Sequence, residues 1–155
     1  GVMFIESEKA LHGIVQLLYR ENEYIDILLQ EQIKTDYDVR VIVVNGEVMG
    51  AMKRPIIEGD FRSNVSQGSE PEIHQLTEIE KQESIKAAES VDGDIVGVDF
   101  IPAKNREKEF PYFIEVNSTP GLIGIEKTIK GITSEVLKMY MNRDNWTWLL
   151  TTKVV

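Results

Sequence analysis

The stretch DYDVRVIVVNGEVMGAMKR, Asp36 to Arg54, limits the fold more than any other part of the chain. Two β-branched runs flank Asn45-Gly46. That dipeptide suits the positive φ angles of a two-residue type I′ turn, so the runs read as a β-hairpin. A hairpin is half a sheet at most, and the other elements must extend or cover it. The opening GVMFI is short and strand-like. Ser7 is a plausible N-cap for a helix that puts Leu11, Ile14, Val15 and Leu18 on one face. Tyr24 to Ile33, YIDILLQEQI, reads as a further strand. Pro55 to Pro71 is polar and Gly-containing and reads as a loop.

Leu76 to Val91 reads as a helix, with Thr77 and Glu80 in a capping-box pattern. Its Ile85, Ala88 and Val91 are placed to face a core. Two strands follow, Ile95 to Ile101 and Tyr112 to Asn117, joined by the charged, exposed AKNREKE. A last helix is expected near Thr133 to Asn142. Hairpin-joined strands imply a mainly antiparallel sheet with helices packed on one face, an α+β arrangement within the broad α/β group.

Composition narrows the function classes. At 155 residues and 42% hydrophobic content the chain is sized for one ordinary domain with a core. The absence of cysteine excludes disulfides and thiolate metal sites. No apolar run approaches the ~20 residues that span a bilayer, and GVMFIESEK lacks the pattern of a secretory signal. A cytoplasmic protein with no membrane partner is the expectation. The first residue is Gly, which fits processing, a cloning scar or an excised fragment. A formal charge of −9 argues against a nucleic-acid partner.

The chemistry gathers where acids interrupt apolar strands. In GVDFI, Val96, Val98 and Phe100 point one way and Gly97 and Asp99 the other. In YFIEVN, Tyr112, Ile114 and Val116 point one way, and Phe113, Glu115 and Asn117 the other. If the strands are antiparallel neighbours, their apolar faces join one core while Asp99, Glu115 and Asn117 share the opposite face. Two carboxylates and an amide oxygen on a rigid sheet suit a hard cation such as Mg²⁺. The alternative is a solvated sheet face. EGDFRSN, Glu58 to Asn64, is a second candidate: Arg54 and Arg62 bracket a loop, and beside a Mg²⁺ site they read as phosphate clamps. Their alternative is surface pairing with Glu58 or Asp60. His12 and His74 are isolated and read as structural.

LLQEQIK, DVRVIVV, RPIIEGDFRSNVSQG, VGVDFI and FIEVNSTPGLIGIEKTIKG together resemble the carboxy-terminal part of the ATP-grasp fold, most closely its RimK-type group. That group ligates glutamate to the carboxyl end of a small-subunit ribosomal protein. The resemblance implies that Asp99, Glu115 and Asn117 bind Mg²⁺, with Mn²⁺ as an alternative metal. It implies that Glu31, Gln32 and Ile33 line the adenine slot and that Asp38 sits near the ribose. It places Arg54, Arg62, Ser63 and Asn64 at the phosphates or the acyl-phosphate, with Arg54 and Arg62 as catalytic residues. The implied reaction is carboxylate–amine ligation driven by ATP: a carboxylate attacks the γ-phosphate, and an amine then displaces phosphate to form an amide. The implied partners are ATP, an amino acid and a carboxylate acceptor on a protein or peptide. Homo-oligomerisation stays open.

By the same resemblance, residues 1–28 are a remnant of the family's central subdomain, 29–142 its carboxy-terminal subdomain and 143–155 an unassigned tail. The matching begins downstream of the family's Gly-rich loop and ATP-reaching lysines. The piece is therefore expected not to ligate alone, while binding Mg²⁺ or nucleotide weakly. The competing reading is a non-catalytic nucleotide- or partner-binding module on the same scaffold.

Overall fold

The structure, a computed structural model, describes residues 2–56 and 70–141. The chain separates into two compact units, Gly1–Lys34 and Thr35–Val155. The first holds helix α1, Glu8–Glu21. Ser7 caps it by accepting a hydrogen bond from the Ala10 amide at 3.2 Å. Leu11, Ile14, Val15 and Leu18 form its half-buried face, while Leu17 and Tyr19 are exposed. Neither expected strand forms here. Residues 2–6 are irregular, and so is Tyr24 to Ile33, where the Ile25 amide turns back to the Asn22 carbonyl. β-Branched composition favours a strand only where a neighbouring ladder accepts its backbone groups, and no described strand pairs with either segment.

The second unit is built on a five-stranded sheet in the order β3-β2-β1-β4-β5. Strands β1 (Tyr37–Val44) and β2 (Glu47–Pro55) form the expected hairpin. Asn45 and Gly46 take φ of 51° and 80°, as the I′ turn requires. Asn45 also donates from its side chain to the Met139 carbonyl at 3.2 Å. Strands β4 (Ile95–Ile101) and β5 (Tyr112–Asn117) have the expected bounds and pair antiparallel. The short β3, Glu72–Ile73, adds to β2 and was not foreseen. It is two residues long, too brief for periodicity to register. Every pairing in the sheet is antiparallel.

Helices cover both faces of this sheet, which corrects the expectation of one. Helix α2 (Glu78–Glu89) lies on the face of Val39, Val41, Val43, Val96, Val98 and Phe100. Helices α3 (Ile123–Thr128) and α4 (Ile132–Met141) cover Ile42, Val44 and Met52 with Ile125, Ile132 and Val136. The cause was visible in VRVIVV. A central strand buried on both faces reads as a continuous apolar run rather than an alternation, and β1 is the middle strand. Val91 is a second correction: α2 ends at Glu89, so Val91 lies beyond it and is 38% exposed. Glu126 of α3 accepts from the Gly131 and Thr133 amides at 2.7 and 2.9 Å. Those bonds hold its carboxyl below the usual range and cap the start of α4.

Under α2 lies a polar knot that the sequence did not announce. The capping box forms as expected, with Thr77 accepting from the Glu80 amide and Glu80 from the Thr77 amide. Glu80 is also 1% exposed and takes a two-point fork from Arg106, at 2.7 Å to each oxygen. His74 Nε2 lies 2.9 Å from Arg106 Nη2 and 3.3 Å from Glu80 Oε2. The His74 ring also lies near those of Tyr37 and Phe100. Arg106 belongs to AKNREKE, so that connection is not wholly solvent-facing; Ala103 is buried as well. Among the described residues no helix is long and apolar enough to cross a membrane.

Candidate active site

On the α3/α4 face the register lays charged residues side by side. Antiparallel partners share a face. Asp38 pairs with Arg54 across β1 and β2, Arg40 with Asp99 across β1 and β4, and Asp99 with Glu115 across β4 and β5. Asn117 stands one step along, opposite Gly97. Asp99 and Glu115 therefore project from the same side of adjacent strands, as the alternation required.

The first four form a chain of alternating charge. Arg54 donates from Nε to Asp38 Oδ1 and from Nη2 to Asp38 Oδ2, both at 2.7 Å. The same Nη2 reaches Asp99 Oδ2 at 2.9 Å. Arg40 grips Asp99 from the other side, Nε to Oδ1 at 2.7 Å and Nη2 to Oδ2 at 2.6 Å. Asp38, Arg54 and Asp99 are each buried. Burial works to lower the Arg54 pKa, but the hydrogen bonds and charges of Asp38 and Asp99 outweigh it and raise the value. Arg54 is thus a fixed cation held in low dielectric between two carboxylates.

Glu115 is exposed and Asn117 half-buried. Asn117 Oδ1 accepts from the Thr119 amide at 2.8 Å and faces its hydroxyl at 3.4 Å, an Asx turn that fixes the amide over NSTPG. The donor set fits a hard divalent cation in kind: two carboxylates and an amide oxygen on one face of two strands. Among the described residues no three carboxylate or imidazole side chains gather as a metal site by themselves. A cation here would share Asp99 with two guanidinium groups.

One part of the pleat reading needs correction. The register shifts between Asp99 and Phe100, so Asp99 opposes Glu115 while Phe100 opposes Phe113. Ile114 is the extra residue of a bulge. Phe113 therefore turns to the α2 side, where its ring meets Phe100 at 6.2 Å edge-on, and does not share the face of Glu115 and Asn117. Tyr112, opposite Ile101, turns as well and no longer shares the face of Val116; on this edge strand Tyr112 and Ile114 stay half exposed, and Val116 packs on the core.

Gly97 makes room for this corner. A Cβ there would stand 2.8 Å from Pro120 Cβ, closer than side-chain carbons approach. The ring of Pro120 sits in the turn that follows Asn117, and proline has little freedom to yield. Gly97→Ala is expected to cost about 1 to 3 kcal/mol through this overlap. A urea melt with an unchanged midpoint would count against that packing.

Of the other expected residues, Glu31, Gln32 and Ile33 lie in the first unit, exposed and outside regular structure. Arg62, Ser63 and Asn64 lie outside the described residues, as do Glu58 and Asp60. Arg40 was missed. Its signal was a lone arginine in the otherwise apolar VRVIVV, two residues after Asp38 and so on the same face.

A family model described as the RimK-like ATP-grasp domain matches residues 1–139. The chain belongs to that family. It is 39% identical over 130 residues to a ribosomal protein bS6–L-glutamate ligase of Escherichia coli O139:H28, covering 83% of this chain and 41% of that protein. It is 34% identical over 151 residues to a probable α-L-glutamate ligase of Aeromonas salmonicida, covering 94% of this chain and 49% of that one. The chain thus spans half or less of these relatives. In fold it is similar to a D-alanine–D-alanine ligase from Bacillus anthracis complexed with ATP, with a TM-score of 0.61, 13% identity and coverage of 91% and 50%. It also resembles the ATP-grasp ligase PsnB complexed with a minimal precursor, with a TM-score of 0.54, 21% identity and coverage of 71% and 36%. The antiparallel sheet expected of the ATP-grasp fold is the one observed.

Proposed function

We propose that this chain supplies the carboxy-terminal, nucleotide- and metal-binding part of an ATP-dependent carboxylate–amine ligase. The carrying observation is Arg54, buried and hydrogen-bonded to both Asp38 and Asp99 on the face shared with Glu115. A desolvated, preorganised cation beside carboxylates is what the transfer of a charged phosphoryl group needs. In this reading 1–28 close the central subdomain, 29–142 form the carboxy-terminal subdomain and 143–155 a tail. Glu31, Gln32 and Ile33 face the adenine and Asp38 the ribose. Arg54, Arg62, Ser63 and Asn64 meet the phosphates, and Asp99, Glu115 and Asn117 hold Mg²⁺ or Mn²⁺. The bound metal neutralises phosphate charge. The chain's own part is to hold Asp38, Arg54 and Asp99 side by side across the sheet.

The amino acid in this reading is glutamate and the acceptor the carboxyl end of a protein or peptide, with action in the cytoplasm. The names of the E. coli and Aeromonas relatives both support glutamate, and the E. coli name supports a protein acceptor. The test has two arms. Titration of the chain with ADP and Mg²⁺ is expected to show saturable binding that Asp99→Ala abolishes. In the natural full-length protein, ADP release is expected to require glutamate and a peptide acceptor together and to fail on Arg62→Ala. Binding indifferent to Asp99→Ala would refute the metal assignment. Full-length ADP release indifferent to amino acid and acceptor would refute the ligase reading.

A further inference from the structure

Arg40 has a place in this geometry that the proposed roles leave out. It donates two hydrogen bonds to Asp99, the shorter at 2.6 Å, and so addresses both oxygens of the carboxylate. Arg54 adds a third bond to Oδ2. Asp99 has about four lone-pair sites, and three are taken by guanidinium N–H groups. Its charge is also taken. Asp38, Arg54, Asp99 and Arg40 sum to zero formal charge, and among the described residues Glu115, opposite Asp99, is the further carboxylate on this face of β4 and β5. A divalent cation meeting Asp99 in this arrangement finds its ligand already neutralised by cations on two sides.

We infer that Arg40 is a positioning residue that occupies Asp99 in place of the metal, so that metal binding requires the two-point Arg40–Asp99 fork to open. The inference rests on the ligase reading for Asp99 as a metal ligand. Opening the fork frees a lone pair on Asp99 and removes a repelling cation from the metal's side. Arg54 is better held, since it also keeps two bonds to Asp38. Arg40, 19% exposed in its side chain, is the partner with access to solvent to accept it on release. Metal alone then binds weakly. Binding tightens when an anionic ligand brings charge to offset the displaced guanidinium. The order favours a metal–nucleotide complex over the bare ion, a linkage between two ligands through one carboxylate.

Titration of the 155-residue chain with Mn²⁺ alone, read as loss of the free-ion electron-spin signal, tests this without an activity assay. Arg40→Gln removes the competing charge and is expected to tighten Mn²⁺ binding about tenfold. Arg40→Lys keeps the charge but replaces the planar fork with a single point donor. It is expected to tighten binding about threefold, and it serves where the glutamine variant does not fold. Either variant binding Mn²⁺ no tighter than the parent overturns the inference while leaving Asp99 as a ligand. A parent and variants that bind no Mn²⁺ even with ADP present overturn both the inference and the metal reading on which it rests.

Discussion

Glu80→Ala is expected to destabilise the second unit by about 3 to 5 kcal/mol, the range for removing one partner of a buried ion pair. Glu80 is 1% exposed, and its two oxygens serve Arg106, His74 and the Thr77 amide at once. The substitution strands the Arg106 guanidinium, opens the capping box that starts α2 and removes the tie between that helix and the β4–β5 connection. Burial by itself would raise the Glu80 pKa. The Arg106 fork, with His74 and the Thr77 amide, overrides burial and brings it to about 2 from an ordinary 4.5. A depressed carboxyl pKa stabilises the fold fully above the unfolded value and loses that contribution as pH falls toward the folded one. Urea midpoints measured at pH 7 and near pH 3 should therefore converge between parent and Glu80→Gln as acid removes what the parent alone possesses. Removing both charges, as Glu80→Gln with Arg106→Met, should cost less than Glu80→Ala alone. A loss below about 1 kcal/mol for Glu80→Ala would show that the knot is decorative.

How far the chain could be read without coordinates depended on the range of the interactions involved. Asn45-Gly46 specified a turn by φ alone, and Thr77 with Glu80 specified a cap across three residues; both formed. The bounds of β4 and β5 followed from apolar runs ended by the charged connection and by the turn after Asn117. What failed depended on partners distant in sequence. Tyr24 to Ile33 had strand composition but no ladder to join. The continuous run in β1 meant cover on both faces, which an alternating pattern does not convey. The bulge at Ile114 shifted one residue and turned Phe113 to the α2 side, though Glu115 and Asn117 kept their face. Arg40, Arg54 and Asp99 illustrate the same division. Arg40 and Asp99 were each an odd residue in an apolar strand, Arg54 followed Lys53 at the end of β2, and each strand's period set its face. Their hydrogen bonds, however, join positions 45 and 59 residues apart, and only the sheet order β2-β1-β4 brings them together.

That junction makes Arg54 the residue whose replacement should matter most to the candidate site. It is 7% exposed, between carboxylates that are 5% and 4% exposed. Arg54→Met preserves much of the side-chain volume but withdraws the charge that, among the described residues, touches both acids, leaving two buried carboxylates on one face with Arg40 still gripping Asp99. The expected cost is about 3 to 5 kcal/mol in a urea melt at pH 7. Repulsion between carboxylates is relieved by protonation, so the penalty should shrink as the melt is repeated at lower pH. Arg54→Lys keeps a cation but cannot span two carboxylates with a planar fork; it should recover part of the loss and no more. A double-mutant cycle separates the contacts. Arg54→Met with Asp38→Asn should be coupled by more than about 1 kcal/mol, since the second change removes the acid that the first exposes to repulsion. The same readings predict function, because a nucleotide's phosphates in the proposed site would meet Arg54 already oriented by Asp38. ADP affinity in the presence of Mg²⁺ should fall for Arg54→Met and remain reduced for Arg54→Lys even where stability is largely restored. If lysine restores both stability and ADP binding in full, then charge alone suffices at this position and the two-carboxylate bridge has no role in holding the site.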